Sequence, residues 1–321
     1  MIKKTCLIYN YAQHYRIGIF KLLDHELNVD FYFGNKMDDV KKIDYQELKN
    51  FKNELQNIKL YSSIYWQKGA VELVFKDYDK FILLGEYYCL STWVILLLNF
   101  FKKKKTYLWT HGWYGNESYL KKITKKIFFN LSNGIFLYGD YAKELMIKEG
   151  FKESKMHVVY NSLNYEEQYN LRYKLNKNKV FKNHFKNDHP NLIFLGRLTS
   201  IKKLDYLLKA QNILKQNNFE TNLVFVGDGA EKNNLIKEAN RLCLKTNVWF
   251  YGSCYNESEI GHLIYNADIC VSPGNVGLTA IHSLAFGTPV ITHDNFANQM
   301  PEFEAIKDGI TGTFFKENDI E

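Results

Sequence analysis

The residues best suited to chemistry lie in the second half of the chain, where glycines and cations follow short apolar runs. Asn191-Leu-Ile-Phe-Leu runs into Gly196 and Arg197, and a short loop then brings Lys202 and Lys203 to the start of a helix. A guanidinium fork and a compact ammonium after one strand suit an anion such as a diphosphate. Leu223-Val-Phe-Val closes on Gly227-Asp228-Gly229, and Val248-Trp-Phe-Tyr closes on Gly252. Glycine at such strand ends serves either a tight turn or the close approach of backbone to a ligand. Ser272-Pro273-Gly274-Asn275-Val276-Gly277 then opens a helix through Leu278, Thr279 and His282, which Gly287 stops before Pro289 begins another strand. A helix starting near Gly277 presents unbonded N–H groups and a positive dipole end, a ready seat for phosphate.

Such residues need parallel strands that deliver them to one edge. Short apolar runs rich in β-branched and aromatic residues predict strands at Cys6–Tyr9, Val29–Phe33, Phe81–Leu84, Thr106–Trp109, Ile135–Tyr138 and His157–Tyr160. A second series comprises Asn191–Leu195, Asn222–Val226, Val248–Tyr251, Ile269–Val271 and Pro289–Ile291. Strands alternating with helical stretches mean parallel sheets wound by crossovers. The polar, Lys/Asn-rich stretch 166–189 interrupts the two series, which disfavours a single barrel. The expected architecture is α/β, with two Rossmann-like doubly wound domains at 1–165 and 190–321, a linker at 166–189 and a cleft between the domains.

The 321 residues are 46% hydrophobic and 24% charged, a globular composition that excludes disordered, collagenous and coiled-coil classes. The net charge of +7 is uneven: residues 1–165 carry +8 and 166–321 carry −1. The excess gathers at Lys102–Lys105 and at Lys121, Lys122, Lys125 and Lys126, beside Trp93, Phe100, Phe101 and Phe128, with only Glu117 opposing it. Just four of the 42 basic residues are Arg, which ranks an anionic membrane surface above a nucleic acid as partner. The alternative is a buried helix followed by a solvated lysine turn. The longest apolar run, Trp93–Leu98, is too short to cross a bilayer, and the N-terminus passes straight into a strand-like run without a cleavage site. These features predict a cytoplasmic protein, peripheral on the inner face of the membrane. Five scattered cysteines read as reduced core thiols.

Taken in order, Gly196-Arg197-Leu with Lys202, Val-Gly-Asp-Gly, Phe-Tyr-Gly252, Ala-Asp-Ile-Cys-Val-Ser-Pro, Gly277-Leu to Gly287-Thr-Pro-Val-Ile and Pro301-Glu302 to Gly312 closely resemble the retaining GT-B glycosyltransferases of the family-4 type. Thinner likeness reaches Gln13-His-Tyr-Arg16, Thr110-His111-Gly112 and Val158-Val-Tyr-Asn161. The resemblance implies transfer of a sugar, with retention and without a bound metal or other cofactor, from a UDP- or GDP-linked donor. Arg197 and Lys202 would hold the diphosphate with N–H groups at Gly277, Leu278 and Thr279, stabilising charge as it develops on the leaving group. His111 would lie near the donor sugar, and Glu302 matches a family glutamate without an assigned role.

Two departures stand out. The family's two glutamates, with seven residues between them, fall on Gly274 and His282. His282 either bonds a ribose hydroxyl in place of the second or simply packs. The family also continues into helices that cross back to the first domain, so the chain reads as an incomplete version. The leading expectation is a glycosyltransferase acting on a lipid-linked or surface-polysaccharide acceptor. The alternatives are an epimerase or phosphorylase of the same fold, or a nucleotide-sugar-binding remnant without turnover.

Overall fold

A computed structural model describes residues 4–36 and 40–321. Met1–Lys3, the head of the segment read as lacking a leader, lie outside the described residues. The chain divides into two compact units, Met1–Asn164 and Tyr165–Glu321.

The first unit runs β1 (Thr5–Tyr9), α1 (Ile17–Glu26), β2 (Val29–Gly34), β3 (Phe51–Tyr61), β4 (Ile64–Lys68), β5 (Lys80–Leu84), α2 (Leu90–Phe101), β6 (Lys105–Thr110), α3 (Tyr119–Asn130), β7 (Gly134–Leu137), α4 (Asp140–Lys148) and β8 (Met156–Val158). Its sheet order is β4-β3-β2-β1-β5-β6-β7-β8, parallel except for the antiparallel β3–β4 pair. Both faces are covered, as a parallel sheet requires. On β1, Cys6 and Ile8 pack with Ile95 and Leu96 of α2 and Phe128 of α3, while Leu7 and Tyr9 pack with Phe20 of α1 on the other face. The six expected strands are present, with β7 shifted one residue earlier and β8 ending at Val158, so that Val159 and Tyr160 lie outside it. The two additional strands form the edge hairpin β3–β4, where most side chains of Phe51–Tyr61 meet solvent and no apolar run forms.

The second unit begins with α5 (Tyr165–Lys174) and α6 (Val180–Phe185), followed by β9 (Asn191–Leu195), α7 (Asp205–Gln216), β10 (Asn222–Val226), α8 (Lys232–Arg241), β11 (Val248–Gly252), α9 (Glu257–Asn266), β12 (Ile269–Ser272), α10 (Leu278–Ala285), β13 (Val290–His293) and β14 (Gly312–Phe315). Its strands are all parallel in the order β11-β10-β9-β12-β13-β14. The stretch 166–189 is therefore not a free linker. Buried Gln168, Phe181 and Phe185 fasten α5 and α6 to the second unit, and α5 packs on α9 and α10. The thiol expectation also needs correction: Cys6, Cys89 and Cys270 are buried, but Cys243 is exposed.

Each sheet has one place where successive strands depart in opposite directions, between β1 and β5 in the first unit and between β9 and β12 in the second. At such switch points the loops past the carboxyl ends diverge and leave a crevice, the usual ligand position in open α/β sheets.

Candidate functional site

The switch point of the second unit is built from the Gly196–Lys203 loop after β9 and the Pro273–Gly277 loop after β12. The ends of β9 and β10 approach so closely that a Cβ on Gly227 would lie 1.9 Å from the Gly196 carbonyl oxygen. Leu198 is buried and its N–H donates to the Asp228 carbonyl at 2.9 Å, which pins the loop and leaves Arg197 outside. Arg197 is exposed, and its guanidinium has no hydrogen-bond or ion-pair partner among the described residues.

Lys202 turns inward instead. Its ammonium donates to the Asn275 carbonyl at 2.5 Å and to Asn275 Oδ1 at 2.7 Å. Burial pulls its pKa down to about 8, Arg197 acts in the same direction, and the charge of Glu302 opposes both. Glu302 is itself buried in the 301–305 turn, so the role it displays is that of counter-charge to Lys202. Lys203 faces elsewhere, pairing with Glu317 at 2.9 Å and Asn318 at 2.8 Å. The Gly274 N–H donates to the Lys202 carbonyl at 3.0 Å, and a Cβ on Gly274 would fall 2.1 Å from the Ile201 carbonyl oxygen. No side chain fits there, so the first carboxylate position of the resembled family is closed by backbone packing.

Gly277 caps α10 with φ +56° and no side-chain cap, and the Leu278 and Thr279 N–H groups carry no bond among the described residues. The Thr279 hydroxyl is already committed, donating to the Leu195 carbonyl at 2.7 Å, so only its backbone is available to a ligand. Buried Gln299 holds the loop by accepting from the Val276 N–H at 2.8 Å while donating to Thr292 and His293. A side chain begun on Gly277 would meet the Lys202 ammonium at 3.9 Å. Lys202, Arg197 and the positive end of α10 thus share one corner, an arrangement that an anion would stabilise. Gly252, with φ +95° and open space where a Cβ would be, accepts from the Gly227 N–H at 2.8 Å and closes the β10–β11 side.

His282 lies one turn into α10, and its Nε2 is 2.8 Å from Glu257 Oε1, which also accepts from Gln168 Nε2 at 2.8 Å. Sequence reasoning did not find Glu257. Its only signal was its place just after the Asn256 cap of α9. Asn275 and Gln299 were missed as well, although Asn275 lay inside the glycine loop already singled out.

His111 belongs to the first unit, just past β6. Its ring is 4.8 Å from that of Tyr138 and 6.1 Å from that of Tyr114. Burial, then the charges of Arg16 and Lys125, push its pKa down to about 4, so the imidazole is neutral near pH 7. Arg16 is buried with no carboxylate partner among the described residues: it donates to the Tyr138 hydroxyl at 2.7 Å and lies over the rings of Tyr9, Trp109 and Tyr138 at 5.2–5.5 Å.

The lysine surface is smaller than its sequence suggests. Lys125 is buried against Glu117 at 2.6 Å, and Lys122 and Lys126 both pair with Glu149. Lys104 donates to the Lys76 carbonyl. Lys102, Lys103 and Lys105 remain near exposed Phe100 and Phe101 at the end of α2, while Lys121 remains near exposed Tyr119 and Leu120 at the start of α3, on the opposite edge of the sheet. No helix among the described residues is long and apolar enough to cross a membrane.

The family model for glycosyl transferases group 1 matches residues 176–321, most of the second unit. A 41.2 kDa protein from the cps region of Klebsiella pneumoniae is 26% identical over 251 residues, 73% of this chain and 65% of that protein. The alpha-monoglucosyldiacylglycerol synthase of Streptococcus pneumoniae is 35% identical over 108 residues, 32% of this chain and 24% of the synthase. The chain thus spans less than two thirds of either relative. Among solved structures, the lipopolysaccharide outer core galactosyltransferase WaaB in its apo form has a TM-score of 0.70 at 16% identity, over 99% of this chain and 87% of that one. Anabaena HepE in complex with UDP has a TM-score of 0.72 at 12% identity, over 99% and 86%. The UDP-GlcNAc 2-epimerase of Methanocaldococcus jannaschii has a TM-score of 0.61 at 16% identity, over 98% and 89%. These likenesses establish the fold, the pair of Rossmann-like sheets that defines GT-B.

Proposed function

We propose that the protein is a glycosyltransferase that takes a sugar from a nucleoside-diphosphate donor, with retention and without a metal, and passes it to a lipid-linked or surface-polysaccharide acceptor. The observation that carries the reading is the corner where Arg197, Lys202 and the uncapped N-terminus of α10 present positive charge together. As the bond from the anomeric carbon to the diphosphate lengthens, negative charge builds on the leaving oxygen. Arg197 meets it as a fork, Lys202 as a point charge fixed by Asn275, and Leu278 and Thr279 through backbone N–H groups. UDP is the first donor to test, since HepE was solved with it; GDP is the second. His282 reaches the ribose only as a dyad with Glu257, because its Nε2 is already taken.

The match to a protein of a cps region supports a surface-polysaccharide acceptor, and the match to an alpha-monoglucosyldiacylglycerol synthase supports a lipid one. Either would meet the enzyme at an anionic membrane on its cytoplasmic face. Phe101 is 77% exposed next to Lys102, Lys103 and Lys105 at the amino edge of the first sheet, a surface suited to shallow insertion with charge attraction. Vesicle co-sedimentation with Lys102, Lys103 and Lys105 changed to Gln tests this attachment. Loss on anionic vesicles alone supports it, and equal sedimentation of wild type and variant rejects it.

The test of activity is incubation with UDP- and GDP-sugars. Release of the nucleoside diphosphate together with a glycosylated product supports transfer. Isomerisation of the donor sugar would favour the epimerase reading, to which the 2-epimerase structure gives some weight. Binding without turnover would leave a nucleotide-sugar-binding remnant.

A further inference from the structure

The first sheet has its own switch point, and the residues just past its two strands carry a carboxylate with no cation. Asn10 follows β1 and Glu86 follows β5. Glu86 Oε2 accepts from the Tyr65 hydroxyl of β4 at 2.7 Å, and Asn10 Nδ2 donates to Oε1 at 3.2 Å. Burial raises the Glu86 pKa above the usual carboxyl value, and Tyr65, Asn10 and the nearby Tyr88 only partly oppose the rise. No Lys, Arg or His pairs with Glu86 among the described residues.

A carboxylate withdrawn from water and left without a counter-charge costs stability, so its retention at a ligand-binding edge points to use. It offers roughly four acceptor positions, which the Tyr65 and Asn10 donors do not exhaust. Its surroundings are aromatic and partly open to solvent: the Tyr65 and Tyr88 rings are 6.1 Å apart, and those of Tyr87 and Tyr88 5.5 Å apart. A phosphate would be repelled here. A ligand with hydroxyls to donate and C–H faces to lie against rings is accommodated.

We infer that Glu86 accepts a hydrogen bond from a hydroxyl of a neutral sugar acceptor, with Asn10 and Tyr65 fixing the carboxylate in position. The assignment rests on the transferase reading and names the acceptor group as an uncharged pyranose. It requires no contribution from the second unit, so it can be tested without turnover.

The experiment is saturation-transfer NMR of the full chain with methyl glycosides of glucose, galactose and N-acetylglucosamine, with UDP titrated separately. Wild type should bind at least one glycoside, Glu86→Gln should weaken it about tenfold, and UDP affinity should be the same in both. Tyr65→Phe keeps the carboxylate, so it should weaken the glycoside by no more than about threefold, and it remains informative if Glu86→Gln does not fold. Wild-type affinity should fall as pH drops towards the raised Glu86 pKa, because the protonated carboxyl loses an acceptor, while Glu86→Gln should show no such slope. The titratable groups near Glu86 are Tyr65, Tyr88 and Tyr9, which stay neutral through that range. A purely structural Glu86 would alter melting temperature in both variants without producing this pH slope. Failure of every glycoside to bind wild type, equal binding by Glu86→Gln, or preferential binding of methylammonium overturns the inference. Absence of UDP and GDP binding alongside intact glycoside binding overturns the donor reading instead, so the two failures are distinguishable.

Discussion

The two switch points are equivalent in topology and opposite in chemistry. Past β9 and β12 the chain places Arg197, Lys202 and an uncapped helix end, with Glu302 buried beneath as counter-charge. Past β1 and β5 it places Glu86 among tyrosines, with Arg16 and His111 each packed against aromatic rings. A parallel sheet supplies a crevice, but the residues just past the strand ends select the ligand. One edge suits a leaving diphosphate and the other a neutral hydroxyl compound, a division that transfer between two substrates would use.

The sharpest way to break this contrast is to neutralise the cationic edge. Arg197→Ala and Lys202→Ala should each lower turnover about 10²- to 10³-fold with melting temperature little changed, and Lys203→Ala should have a small effect because Lys203 serves Glu317. Steady-state kinetics checks this. Turnover within twofold of wild type for both Arg197 and Lys202 variants would remove the diphosphate site from this edge.

Gly274→Ala should destabilise the second unit by about 1–3 kcal/mol, since its Cβ would enter the Ile201 carbonyl and force the Lys202 loop aside. Chemical denaturation measures the loss. Gly274→Glu, which restores the carboxylate of the resembled family, should fare no better. A smaller effect belongs to His282→Ala: weakening of UDP binding by about 1 kcal/mol. Glu257→Gln should reproduce it if the two act as a dyad. Unchanged UDP affinity in both variants would assign the pair to packing between α9 and α10.

The last contrast concerns pH. His111 stays neutral in the folded state down to about pH 4, whereas the unfolded chain takes up that proton near pH 6.5. The unfolded state binds more protons between those values, so His111 should make stability fall as pH drops from about 6.5 to 4. His111→Asn should flatten that part of the stability profile in urea denaturation at a series of pH values, and an unaltered slope would count against the buried neutral imidazole.

Most of the second unit was legible because its chemistry is local in sequence. Gly196, Arg197, Lys202 and Gly277 sit at the ends of apolar strands, where a turn and a helix start can be read directly. What could not be read was which groups already had partners. The Thr279 hydroxyl, the His282 imidazole and Lys203 are each tied to a residue 25 to 114 positions away. The lysine cluster misled for the same reason: helix periodicity turns Lys125 inward onto Glu117, and Glu149 claims Lys122 and Lys126. β3 left no apolar signature because most of this edge strand meets solvent, and Glu86 gave none because its donors come from β4 and from the loop after β1.

The diphosphate corner is tested most directly by calorimetric titration of the full chain with UDP and GDP, repeated with Arg197→Ala and Lys202→Ala. Wild type should bind at least one nucleotide saturably, with affinity weakened at least about tenfold in each variant as a charge-assisted contact is lost, and unaffected by Glu86→Gln. Absence of binding to wild type, or equal affinity in wild type and both cationic variants, would contradict a nucleotide site built on these cations.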